Sequence, residues 1–121
     1  MSVVQIFGVK NSQATRAAER FFKERRVEIQ LVDLTRKPMA PAEIRRFIEK
    51  FTLPGLLDIE GTSYAAAGLK YLKLSDTQLL ERIERDPKLL RLPLVRMANR
   101  LSIGRDEDSW ISIISPLRLD Y

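Results

Sequence analysis

Residues 3–33, VVQIFGVKNSQATRAAERFFKERRVEIQLVD, decide the fold, because three patterns follow one another there. Residues 3–7 are a β-branched and aromatic run ended by Gly8, which reads as a buried strand. A polar loop comes next. From about Ala14 the apolar residues Ala14, Ala17, Ala18, Phe21 and Phe22 recur at helical spacing, with Asn11 or Ser12 as the cap. Arg16, Arg20 and Lys23 fall on the opposite side and read as a solvated basic stripe. Val27, Ile29 and Leu31 then alternate with Glu28 and Gln30, the period of a second strand that ends at Asp33. Strand, helix and strand in this order predict a right-handed βαβ unit with parallel strands.

Downstream the pattern turns helical. Pro38 and Pro41 punctuate a loop, and Pro41 suits a first helical turn. Ile44, Phe47, Ile48 and Phe51 follow on one helical face, which TLPG (52–55) ends. Residues 56–74 are less regular, with short helical turns expected around 56–57 and 64–69. Ser75 and Gln78 form a capping box opening a helix that carries Leu79, Leu80 and Ile83, and Asp86-Pro87 marks one more short turn. Two apolar runs, 94–97 and 101–103, separated by Ala98-Asn99-Arg100, read as a hairpin. Gly104 and the acids Asp106, Glu107 and Asp108 introduce a last helix through Trp110, Ile113 and Ile114, a strand being the alternative for its isoleucines. The tail SPLRLDY (115–121) alternates apolar and charged residues, as a strand added to a partner's sheet edge or covering this chain's own would do. The whole is an α/β order, β-α-β, a helical insertion at about 41–90, then β-β-α, in one domain over 1–121 without repeats or linkers.

Composition removes whole classes of chemistry. The chain has no cysteine and no histidine, so disulfides, thiol catalysis, thiolate metal sites and the commonest general base are all absent. No apolar run approaches the ~20 residues of a membrane span. MSVVQIFG lacks the basic start and long apolar stretch of a signal peptide, which points to the cytoplasm. The net charge of +5 raises nucleic acid as a partner. The cations are dispersed among acids with no glycine-spaced aromatic motif, which argues against direct nucleic-acid binding.

The element order is that of the thioredoxin-like fold with a small mixed sheet. Within it, IFGVKNSQATRAAERFFKERRVEIQLVDL, GTSYAAAGL, DPKLLRLPLV and the IGR behind the hairpin resemble the arsenate reductase (ArsC)/Spx-type family of glutaredoxin-related proteins, over about residues 3–110. In that family's reductases the loop after the first strand carries a cysteine whose thiolate attacks arsenic, and the matching residue here is Ser12. Of three arginines that hold the oxyanion, the first falls at Asp58 and the second, directly before the family's cis-proline Pro93, at Leu92, with Arg91 one residue earlier. Only the third has a match, Arg105.

The nucleophile and two of the three clamps are therefore missing. A serine needs a base to become a nucleophile, and the usual one is histidine. Asp58 sets a negative charge where an anion should sit, at a cost of ~1 kcal/mol near ~4 Å in water and several times that in a partly buried site. These departures exclude arsenate reduction and lean away from an enzyme. The resemblance implies instead a redox-inactive, protein-binding or regulatory module without metal or cofactor. Spx-type members bind RNA polymerase, which names a partner by analogy. The alternative is a glutathione-linked oxidoreductase or transferase in which glutathione supplies the thiol, lying along Leu92-Pro93 and the Ser12 loop.

The residues expected to bind are Asn11, Ser12, Thr15, Arg91, Leu92, Pro93 and Arg105. Each has a plain structural reading beside the functional one. Ser12 can cap its helix by accepting from the amide of Ala14 or Thr15, and Thr15 can be a first-turn hydroxyl. Leu92, before a cis-proline, would offer one N–H and one C=O to an extended peptide. Arg91, Arg96, Arg100 and Arg105 could gather into an anion site at the mouth of the Ser12 loop, or remain solvated.

Overall fold

The structure, a computed structural model, describes residues 3–118, with side-chain surroundings through Ser115. In chain order its strands and α-helices are β1 (Val4–Gly8), α1 (Gln13–Glu24), β2 (Ile29–Asp33), α2 (Pro41–Phe51), α3 (Thr62–Ala66), α4 (Asp76–Arg85), β3 (Leu94–Met97), β4 (Arg100–Ile103) and α5 (Glu107–Arg118). They form two compact units, one made of the chain up to Asp33 and from Leu92 onward, the other of Leu34–Arg91.

The first unit is a four-stranded mixed sheet in the order β2-β1-β3-β4. β1 and β2 run parallel from Val4↔Ile29 to Gly8↔Asp33, as the βαβ pattern requires. β3 is antiparallel to β1, with Phe7 opposite Leu94, and β4 is antiparallel to β3, with Leu94 opposite Ile103. The two-residue alternation puts Val4, Ile6, Val95 and Met97 on one face, where Ala17, Ala18, Phe21 and Phe22 of α1 and Trp110, Ile113 and Ile114 of α5 cover them. The Phe21 and Trp110 rings lie 5.3 Å apart in a tilted pair, with Phe22 edge-on to Phe21 at 5.1 Å. This is the thioredoxin-like arrangement expected from the element order.

Local chemistry sets the helix ends. Asp106 opens α5 by accepting from the Ser109 amide and hydroxyl, at 3.1 and 2.7 Å. The isoleucines beyond it are helical, and so are Ser115 to Arg118, which the alternating pattern had assigned to a strand. Trp110, Ile113 and Ile114, at helical spacing, bury together in the core, and two bonds accompany the helix they carry. Ser115 Oγ donates back to the Ile111 carbonyl at 2.7 Å, and Arg100 donates to the Ser112 carbonyl at 3.2 Å. That second carbonyl is the one left without a partner by Pro116, which has no N–H. Residues 119–121 of the expected tail strand lie outside the described residues.

In the second unit, Pro41 occupies the first turn of α2, which ends where Thr52 turns to φ 68°. The Ser75 capping box is complete. Ser75 Oγ accepts from the Gln78 amide at 3.1 Å, and the Gln78 side chain accepts from the Ser75 amide at 2.9 Å. Single 3-10 turns fill Pro54–Leu56, Leu69–Tyr71 and Pro87–Leu89, the last capped by Asp86. An antiparallel bridge joins Leu57 to Leu90, flanked by the Asp58 amide on the Leu89 carbonyl and the Arg91 amide on the Leu56 carbonyl, both at 2.8 Å.

Candidate functional site

The site of the first unit is laid out by strand register. One step beyond Phe7↔Leu94 sets Gly8 beside Pro93, and one step beyond Leu94↔Ile103 sets Pro93 beside Gly104. The Gly104 amide donates to the Pro93 carbonyl at 3.0 Å, and Gly104 takes φ 70°, in the left-handed region that favours glycine. The Ser12 loop, Leu92-Pro93 and Gly104-Arg105 therefore leave the same end of the sheet. The Leu92-Pro93 peptide is cis.

Ser12 closes its own loop. Its amide donates to the Val9 carbonyl at 3.1 Å, and its carbonyl accepts from the Arg16 amide at 3.1 Å. Its hydroxyl oxygen accepts from the Thr15 amide at 3.1 Å, in extended backbone at φ −85° and ψ 119°. That is an N-cap, the structural member of the two readings. Asn11 beside it is exposed.

Thr15 is buried at 2% exposure, and its Oγ1 has no hydrogen-bond partner among the described residues. A Cβ built on Gly8 would fall on the Thr15 side chain, so the glycine that ends β1 makes room for the first turn of α1. Thr15 is a packing residue against this loop rather than a group facing solvent.

Leu92 is half-buried and its backbone N–H and C=O make no hydrogen bond among the described residues.

The arginines do not gather. Arg96 donates to the Gln5 side chain, its neighbour across β1, and to the Ala98 carbonyl, and Arg100 is held by Ser112. Arg105 is exposed and lines a polar depression of about 170 Å³ along α1, with Arg20, Arg25, Glu24 and Glu107 over Phe21 and Trp110. Ser12, Asn11 and Leu92 are not among the residues lining it. Arg25 lies 3.7 Å above the Phe21 ring and donates to the Phe21 carbonyl at 3.1 Å. This cluster was not singled out from the sequence, although Arg20 and Glu24 stand one helical turn apart, which is the only local signal for it.

Arg91 and Asp58 belong to the second unit. Arg91 is exposed, its amide engaged by Leu56. The Asp58 carboxylate folds over the turn whose Gly61 amide returns to the Asp58 carbonyl at 3.0 Å, so tightly that a Cβ on Gly61 would sit 2.5 Å from Asp58 Oδ2. Among the described residues no group of three or more acids is placed to hold a metal ion, and no helix is long and apolar enough to cross a membrane.

The family model described as "ArsC family" matches residues 7–113, which includes the Ser12 loop, Leu92-Pro93 and Gly104-Arg105. The chain belongs to the ArsC family. Solved ArsC-type structures share its fold at low identity. A putative arsenate reductase from Yersinia pestis is 19% identical with a TM-score of 0.78, the match covering 91% of this chain and 99% of that one. The arsenate reductase from Vibrio cholerae is 18% identical at TM-score 0.76, over 92% and 97%. A putative ArsC family related protein from Bacteroides fragilis is 14% identical at TM-score 0.75, over 91% and 96%. No curated protein sequence matches. Within the ArsC family this is a member without the catalytic cysteine, since the chain contains none.

Proposed function

We propose that this ArsC-family chain is redox-inactive and works by binding a partner protein with the surface around the Ser12 loop. The observation that carries the reading is the Ser12 hydroxyl. Its oxygen accepts the Thr15 amide at 3.1 Å, in a chain with neither a cysteine to replace it nor a histidine to activate it. A group held as a helix cap, with no base, binds and positions but does not attack. The reading makes the chain a cytoplasmic, Spx-like regulatory protein, with RNA polymerase as the partner suggested by analogy alone.

Two measurements test it. Incubation with arsenate, glutathione and a glutaredoxin should yield no arsenite above the protein-free control, and turnover would refute redox inactivity. Affinity capture from the native cell should recover a stoichiometric partner that the exposed-loop variant Asn11→Trp loses. Equal recovery by that variant would remove the loop from the binding surface.

The free N–H and C=O of Leu92 support a second reading, a glutathione-linked enzyme with the tripeptide laid along Leu92-Pro93 as an added strand. Titration with millimolar glutathione should then shift the amide resonances of Leu92 and Ser12. Unmoved resonances would dismiss it.

A further inference from the structure

We propose that the second unit binds a small amphipathic carboxylate in the cavity between α2, α4 and the loop of residues 34–41. The cavity measures about 320 Å³, at the lower end of the ~300–1,000 Å³ range of small-molecule sites. Its walls are Ile44 and Ile48 from α2, Leu80 and Ile83 from α4, and Leu34 and Met39 from the loop. Leu34, Ile44 and Ile83 are buried, so these walls are held by the unit's own packing.

The lining is poor in hydrogen-bonding groups. Pro38, Pro41 and Pro87 complete it, and none has an N–H. Water entering such a space finds few partners, whereas an aliphatic chain loses its own hydration there. At about 30 Å³ for each water-sized group, the volume holds about ten heavy atoms.

Only two lining residues carry charge, Arg45 and Glu84. Both are exposed, and neither is ion-paired among the described residues. The loop that supplies Leu34 and Met39 also carries the exposed cations Arg36 and Lys37 and no acid. At the rim Arg45 is matched by Glu84, and the further cations Arg36 and Lys37 on the neighbouring loop tip the balance toward an anionic head. The Arg45 guanidinium matches a carboxylate in a forked, charge-assisted pair while remaining at the water's edge. This site is independent of the Ser12 loop.

Met39 makes the occupancy readable. With ¹³C-methyl methionine, the Met39 signal reports on the cavity, while Met97, buried in the core of the other unit, serves as the reference. Hexanoate, octanoate and decanoate below their micellar concentrations should shift Met39 saturably and leave Met97 unmoved. Affinity should rise about fourfold per methylene until the cavity is full. Arg45→Gln, an exposed substitution, should weaken octanoate about tenfold and leave decanol unchanged. Leu80→Phe, which fills the cavity, should abolish binding while the Met97 signal stays native. An unmoved Met39, equal shifts at Met97, or full binding by Leu80→Phe would overturn the site. Decylamine binding as tightly as decanoate would overturn the anionic class.

Discussion

Arg100 Nη1 donates to the Ser112 carbonyl at 3.2 Å, the acceptor that α5 cannot fill from within because Pro116 stands four residues on. The bond ties the edge strand β4 to α5 and lets the helix run on through its proline.

The Arg100 bond sets a double-mutant comparison. Arg100→Ala should cost about 1 kcal/mol in urea unfolding. In a Pro116→Ala background, position 116 supplies an N–H to Ser112, and the same substitution should cost a few tenths. Equal costs in both backgrounds would show that the guanidinium does not serve that carbonyl.

Gly8 and Thr15 couple in the same way. Gly8→Ala drives a methyl group into the Thr15 side chain, and the overpacking should cost about 1–3 kcal/mol. Thr15→Ala in combination should recover most of that loss by opening the space. Thr15→Val alone should be neutral or stabilising by up to about 1 kcal/mol, since the buried Oγ1 has no partner to lose. Additive losses in Gly8→Ala/Thr15→Ala would place the strain elsewhere.

These pairs also mark how far the sequence could be read. The βαβ start, the Ser12 cap and the Ser75 box were legible because each rests on residues within one or two turns, where periodicity and side-chain-to-backbone reach act directly. Pro93 and its cis bond were reached through the family resemblance. The tail was misread as a strand because what carries α5 past Pro116 comes from Arg100, on another element. The hairpin arginines were legible as a cluster in sequence but not in direction: Arg96 turns to Gln5 across the sheet, Arg100 to α5, and Arg105 to the side of α1. The cavity walled by α2 and α4 left no trace, since its residues look like ordinary core positions in each helix taken alone.

The capping box of α4 should be cooperative. Ser75→Ala should cost about 1 kcal/mol and Gln78→Ala less. The double variant should cost less than the sum, because either change alone already breaks one arm of a reciprocal pair. Strict additivity in thermal unfolding would mean that the two bonds form independently.

Ser12 is the position where stability and function separate. Ser12→Ala should cost about 1 kcal/mol through loss of the Thr15 amide bond. Ser12→Asp should restore the cap and add a favourable charge at a helix start that has no acid in its first turn. Ser12→Cys places a thiol among the same loop amides and at the same positive helix end, so its pKa should fall below the free value of about 8.5. It should still reduce no arsenate, because Asp58 and Leu92 stand where the family resemblance places the first two oxyanion-binding arginines. Alkylation rate against pH gives the first result and arsenite release the second. A thiol titrating at its free value would mean that the loop holds no field. Arsenite production by Ser12→Cys would mean that the nucleophile alone had been lost.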